Sequence, residues 1–224
     1  MDISIFDVIG PVMIGPSSSH TAGAARLSRI AAAIVGKSFH KIVFGLHGSF
    51  AKTYKGHGTD IALLAGALGI REDDERLAKA YVLADQAHMD YQFEETELEG
   101  VHENSVRMTF YCDDGDIQQV TGSSVGGGQI QICRINDFET EFSAGSAALL
   151  INHRDEKGVI SKITGILSEA GLNIAVMKLS RRSKGDMAFC VIETDGDISR
   201  DVVRAIQAMD AVWYVRAINK TDWE

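Results

Sequence analysis

Residues 148–218 constrain the fold most, because their hydrophobic period switches between strand and helix in one definite order. Residues 148–153 read as a buried strand, led by the apolar Ala148, Leu149, Leu150 and Ile151. Residues 157–170 place Ile160, Ile163 and Leu167 on one helical stripe, which ends at Gly171. Residues 173–181 alternate, with Ala175, Met177 and Leu179 on one face. Gly185-Asp186 opens a third strand that runs to Glu193. Ser199 is placed to cap a helix carrying Val203, Ile206 and Met209, and residues 211–218 form the last strand. The order βαββαβ predicts the split βαβ, ferredoxin-like layer.

The small residues of Phe142-Ser143-Ala144-Gly145-Ser146-Ala147 mark a domain boundary. It divides the 224 residues into 1–145 and 146–224, each long enough to bury a core. The first part is less regular. A helix begins at Leu27, with Ile30, Ala31 and Ile34 on its apolar face and Arg26 and Arg29 on another, and Gly36 stops it. Residues 41–46 are apolar and β-prone. Ile61, Leu64 and Leu68 indicate a second helix and residues 75–89 a third. The acidic run before that third helix (Glu72, Asp73, Asp74, Glu75) reads as a solvated face. From Gln92, segments 94–98, 106–111, 118–122 and 129–136 alternate between Gly or Asp turns, so the sheet is expected to be mostly antiparallel. The fold class is α+β.

Gly15-Pro16-Ser17-Ser18-Ser19-His20-Thr21 stands immediately before the first helix. Unpaired N–H groups and the dipole at a helix start favour a carboxylate there. One Ser would suffice as a cap. Three serines plus His20 and Thr21 exceed that need, and the run suits a small acid with a proton carrier beside it. Gly56-His57-Gly58-Thr59-Asp60 repeats the pattern ahead of the second helix, with Thr59 as the expected N-cap. A histidine at a helix N-terminus tends to stay neutral, the form that accepts a proton. An exposed loop histidine is the plain alternative for His57 taken singly. His40, His88 and His102 lack such surroundings, and His47 in Leu46-His47-Gly48-Ser49-Phe50 is intermediate.

A net charge of −9 without any basic run argues against nucleic acid or an anionic membrane as partner. No apolar stretch approaches the roughly 20 residues that cross a bilayer. Met1-Asp2-Ile3-Ser4 lacks the basic region of a signal peptide, so the cytoplasm is expected. Cys112, Cys133 and Cys190 match neither a disulfide framework nor a metal or iron–sulfur pattern, and Cys190 reads as a core residue. No metal site is expected on this chain.

His153-Arg154-Asp155-Glu156-Lys157-Gly158-Val159-Ile160, with Ile163, Ile166, Ala170-Gly171 and Asn173-Ile174, resembles an ACT domain. That family binds small amino acids at the loop after its first strand, usually across a dimer interface. The resemblance implies a regulatory ligand. Asp155 can hold its ammonium group, the N–H groups of Gly158, Val159 and Ile160 its carboxylate, and Asn173 can donate to and accept from it. In the plain alternative Asp155 is a helix cap and Asn173 a turn residue.

The two histidine motifs, together with Gly48-Ser49-Phe50, His102-Glu103-Asn104 and Ser124-Val125-Gly126-Gly127-Gly128, resemble the β chain of iron–sulfur-dependent L-serine dehydratase along the whole chain. One departure is Glu103, where that family usually has a turn-stiffening proline. The first part also resembles the allosteric substrate-binding domain of some phosphoglycerate dehydrogenases. The resemblance implies an L-serine ammonia-lyase that makes pyruvate and ammonia with a separate α chain. That α chain would hold the [4Fe-4S] cluster, and this chain alone would bind none. An open iron site would act as Lewis acid on the serine hydroxyl while a base removes the α-proton. From the two histidines at helix starts, His57 is the candidate base, and His20 would orient substrate or transfer a proton. Ser17, Ser18, Ser19 and Thr21 would hold the carboxylate or the loop facing the α chain, with Gly58 and Thr59 also at the substrate. ACT pairing implies a homodimer or a dimer of α/β heterodimers. Two other readings stand beside this one: a non-catalytic, serine-binding regulatory protein or subunit, and a detached regulatory fragment of a phosphoglycerate dehydrogenase. Lacking any G-x-G-x-x-G unit, the chain alone could not be that oxidoreductase.

Overall fold

A computed structural model describes residues 12–220, so Met1-Asp2-Ile3-Ser4 lies outside the described residues. The chain forms two compact units, Met1–Asn136 and Asp137–Glu224.

In the first unit, α1 (Ala24–Val35) buries Leu27, Ile30, Ala31 and Ile34, as their spacing requires. Each larger aliphatic contributes about 1.5–3 kcal/mol by leaving water. Gly36 closes the helix in the left-handed region, at φ 59°, with its N–H on Ala32 O. The helix starts earlier than the apolar spacing indicates. A π-helical turn, Ser18–Gly23, leads directly into it, so the hydroxyl run is helical rather than a loop before a helix. Arg29 is not on a solvated face either. It is buried and pairs with Glu72 at 3.0 Å. The acidic run is therefore structural in part: Glu72 is nearly covered, and Asp74 caps the next turn by accepting from Arg76 N at 2.8 Å.

Strand β1 (Phe39–Leu46) is followed by α2 (Gly48–His57), a helix with only Phe50 buried and hence no apolar stripe. Next comes α3 (Thr59–Ala67), almost entirely buried. Gly58, at φ 69°, holds its cap position, and no side chain caps it, so Thr59 is not the N-cap. Helices α1 and α3 touch backbone to backbone: a Cβ on Gly66 would lie 2.1 Å from Ala25 O. The expected helix over 75–89 is a 3-10 turn (Glu75–Lys79) followed by the short α4 (Ala80–Gln86). Strands β2 (Asp90–Glu95), β3 (Ser105–Cys112), β4 (Ile117–Gly126) and β5 (Gln129–Ile135) complete the unit, ordered β2-β1-β3-β4-β5. β1 and β2 pair in parallel and the other pairs are antiparallel. β2 lies earlier than the expected segment 94–98.

The second unit starts with β6 (Phe138–Phe142), which packs on β8 and β9. The order is then β7 (Ala147–Arg154), α5 (Val159–Glu169), β8 (Ile174–Arg181), β9 (Met187–Thr194), α6 (Arg200–Gln207) and β10 (Val212–Ile218). The sheet order β10-β7-β9-β8 is antiparallel throughout and is the one the βαββαβ pattern demands. Leu149, Ile151, Ile163, Leu167, Cys190, Ile192, Val202 and Ile206 form its core. Burial pushes the Cys190 thiol up to about 12, so it is an inert core residue. The edge strand β8 leaves Val176, Met177 and Leu179 exposed.

Candidate active site

The π turn is wound by Ser17. Its carbonyl accepts from both Thr21 N (2.9 Å) and Ala22 N (3.3 Å), and its hydroxyl accepts from His20 N at 3.1 Å. Ser17 is thus the one cap the helix needed. Gly23 lets β4 close on the turn, since a Cβ there would sit 2.0 Å from Ser124 Oγ. Ser18 and Ser19 are half-buried on the turn.

The turn projects His20 toward both ends of α2. At the start of α2, Ser49 Oγ lies 3.2 Å from His20 Nε2, and the Phe50 ring stands edge-on to the imidazole at 5.2 Å. At the end of α2, the His57 ring is 4.9 Å from that of His20, at 81°. Thr21 Oγ1 donates to His57 O at 3.3 Å, tying the turn to that end. Burial, and secondarily the neighbouring His57, hold His20 below its ordinary value of 6.5, so His20 is neutral at pH 7.

The structure therefore brings His20, Thr21 and His57 together and adds Ser49 and Phe50. His57 is exposed and is the last residue of α2, not a residue ahead of a single helix start. His57 stands at the C-terminal end of α2, so the helix N-terminus argument made above does not apply to it. Gly58 borders open space. Thr59 is fully buried, its hydroxyl has no partner among the described residues, and the fold does not bring it to the surface of the site. Ser49 and Phe50 carried one visible signal, their place in Gly48-Ser49-Phe50, but α2 has no periodicity to show that its two ends flank one histidine.

In the second unit, Asp155 neither caps α5 nor stands free. Its Oδ2 accepts from Gly185 N (3.0 Å) and Arg181 Nη1 (3.1 Å), which hold the carboxyl below the usual carboxylate range. Asn173 Nδ2 donates to Asp195 Oδ2 at 2.6 Å. Gly158, at φ 87°, precedes α5, and no side chain caps the N–H groups that follow. His153 is 2% exposed, its Nδ1 donates to Arg154 O at 2.8 Å, and its buried Nε2 has no partner among the described residues. It shares strand parity with Leu149 and Ile151, which places it on the helix-facing side.

Among the described residues no three His, Cys, Asp or Glu side chains gather to hold a metal ion. Cys112 and Cys190 are buried and Cys133 half-buried, and they do not fit an iron–sulfur cluster. Nor is any helix among the described residues long and apolar enough to cross a membrane.

A βαββαβ unit with an uncapped helix start, joined to an α+β unit presenting two facing histidines, defines a two-domain α+β chain ending in an ACT domain. Residues 147–211 match the ACT domain family, and residues 4–87 match the family described as serine dehydratase beta chain. The chain is 38% identical over 215 residues to the probable L-serine dehydratase, beta chain, of Bacillus subtilis (strain 168), covering 96% of this chain and 97% of that one. It is 38% identical over 210 residues to the L-serine dehydratase, beta chain, of Peptoniphilus asaccharolyticus, covering 93% and 95%. Among solved structures, the ACT domain from GTP pyrophosphokinase of Chlorobium tepidum matches at 20% identity and TM-score 0.28, over 32% of this chain and 95% of that one. The chain belongs to the serine dehydratase beta-chain family.

Proposed function

We propose that this chain is the β subunit of an L-serine ammonia-lyase that forms pyruvate and ammonia together with an α subunit. The observation that carries the reading is the edge-to-face contact of His20 and His57, 4.9 Å apart and drawn from two separate motifs. Removing the α-proton of serine needs a positioned base and a way to keep it deprotonated. His57, exposed at the end of α2, is the base. His20, kept neutral by burial, orients the substrate or takes the proton onward. Ser17 and Thr21 commit their hydroxyls to the turn and to His57 O, which leaves Ser18 and Ser19 to receive the substrate carboxylate with the first-turn N–H groups. Gly58 lets the protein backbone come close to the substrate; Thr59 supports from beneath.

The [4Fe-4S] cluster of this reading belongs to the α chain, and no residue of this chain is assigned as its ligand. The second unit is the regulatory part. The N–H groups of Gly158, Val159 and Ile160 take a carboxylate beside Asp155, while Asn173, beyond the far end of α5, would join that ligand across a dimer interface. The exposed Val176, Met177 and Leu179 on β8 support pairing into a homodimer or a dimer of α/β heterodimers, in the cytoplasm.

The test is anaerobic co-expression with the α chain followed by a serine-to-pyruvate assay. Activity that needs both chains supports the reading. Serine binding by this chain without pyruvate from the pair would make it a regulatory protein instead.

A further inference from the structure

Ser49 is held more firmly than its exposure requires. Leu46 ends β1, and Gly48 turns the chain at φ 55° under the 102–104 loop, so close that a Cβ would sit 2.6 Å from Glu103 O. There Ser49 N donates to Glu103 O at 2.8 Å, and Thr53 Oγ1 donates to Ser49 O at 2.8 Å. With its backbone fixed at both groups, the hydroxyl is left facing His20 Nε2 at 3.2 Å. His20 is fixed in turn, by Ser17 at its N–H and by Phe50 and His57 around its ring. Its Nδ1 has no partner among the described residues.

A neutral imidazole carries one proton, and the nitrogen that lacks it is the only one able to accept another. We propose that Ser49 is a positioning residue: its hydroxyl oxygen accepts from His20 Nε2–H, holding the ring in one tautomer and leaving Nδ1 as the nitrogen that exchanges a proton. The inference rests on the proposed function only for its catalytic consequence. The tautomer belongs to this chain alone.

Long-range 1H–15N spectra of the 15N-labelled full chain, above the titration of His20, read the tautomer directly. The wild type should show Nδ1 as the unprotonated nitrogen of His20. Ser49→Ala should give a mixture of tautomers, and Ser49→Thr should keep the wild-type form. A protonated Nδ1 in the wild type overturns the proposal, and so does an unchanged tautomer ratio in Ser49→Ala. If that variant does not fold, the wild-type spectrum still decides. In the assembled enzyme, loss of one neutral hydrogen bond should lower kcat about tenfold in Ser49→Ala, with KM within about twofold. An altered tautomer with unaltered kcat would also overturn the positioning role. Absence of pyruvate from the wild-type pair would strike the proposed function instead, and would leave the spectral result standing.

Discussion

Gly66→Ala tests the helix pair that carries the site. In most helices the exchange stabilises by about 1 kcal/mol, through propensity alone. At Gly66 the new Cβ would lie 2.1 Å from Ala25 O and 2.9 Å from Arg29 N, where ordinary contact begins at 3.4 Å. Neither neighbour is a side chain end that can swing away. α1 and α3 must part by about 1.3 Å, the difference between 2.1 and 3.4 Å. Overpacking of this kind costs about 1–3 kcal/mol, and contact with rigid backbone belongs at the upper end. Subtracting the propensity gain leaves a net loss of about 2 kcal/mol. With a urea m-value of about 2 kcal/mol/M, the midpoint should fall by about 1 M. Gly165 is the control: it lies within α5 with nothing within 4 Å of an added Cβ, so Gly165→Ala should stabilise by about 0.5–1 kcal/mol. Trp213 lies in the second unit, and no tryptophan falls within the first. Fluorescence therefore follows the Gly165 variant, and far-UV circular dichroism reveals the transition of the first unit. A Gly66→Ala protein as stable as the wild type would refute the close-packed arrangement of α1 and α3, and with it the fixed placing of His20, whose turn runs straight into α1.

Three further predictions concern charge and ligand. NMR titration of the His20 ring should give a midpoint below 6.5, and His57→Ala should raise it only part of the way, because burial is the larger cause. Since the folded-state value is the lower one, His20 supports stability above the unfolded pKa of about 6.5, and that support fades as pH falls toward the folded value. Glu193, buried in β9, is pushed upward by burial, with Glu141 adding to the shift and Ser143 opposing it. Its charge therefore opposes folding as pH rises through its raised value, and Glu193→Gln should raise the urea midpoint at pH 7 and lose that gain near pH 4. Asn173→Ala should change the response to L-serine of the assembled enzyme; an identical response at every concentration removes Asn173 from regulation.

The second unit was legible in the sequence because its helices bury one stripe and its central strands are largely apolar. Ile163 and Leu167 turn inward at helical spacing, and 148–151 is apolar without a break. Phe138–Phe142 alternates as cleanly, with Phe138, Thr140 and Phe142 buried, yet is too short to stand out beside the small residues that follow. α2 was not legible: Phe50 is its one buried residue, and its first turn is fixed by Glu103 O, a contact distant in sequence. The ion pair of Arg29 with Glu72 was hidden for the same reason. At the site, residue types pointed to His20 and His57. Their meeting, the sealing of Thr59 and the engagement of Asp155 by Arg181 and Gly185 depend on tertiary contacts that no local spacing reveals.

The central claim is that this chain brings a proton-abstracting histidine to a serine site shared with an α chain. Pyruvate formation by the assembled α/β complex carrying His57→Ala tests it most directly, with complex integrity checked by co-purification. A positioned base contributes about 10²–10⁴-fold, so kcat should fall at least a hundredfold while the complex stays intact. Near-wild-type turnover by an intact His57→Ala complex would contradict the account.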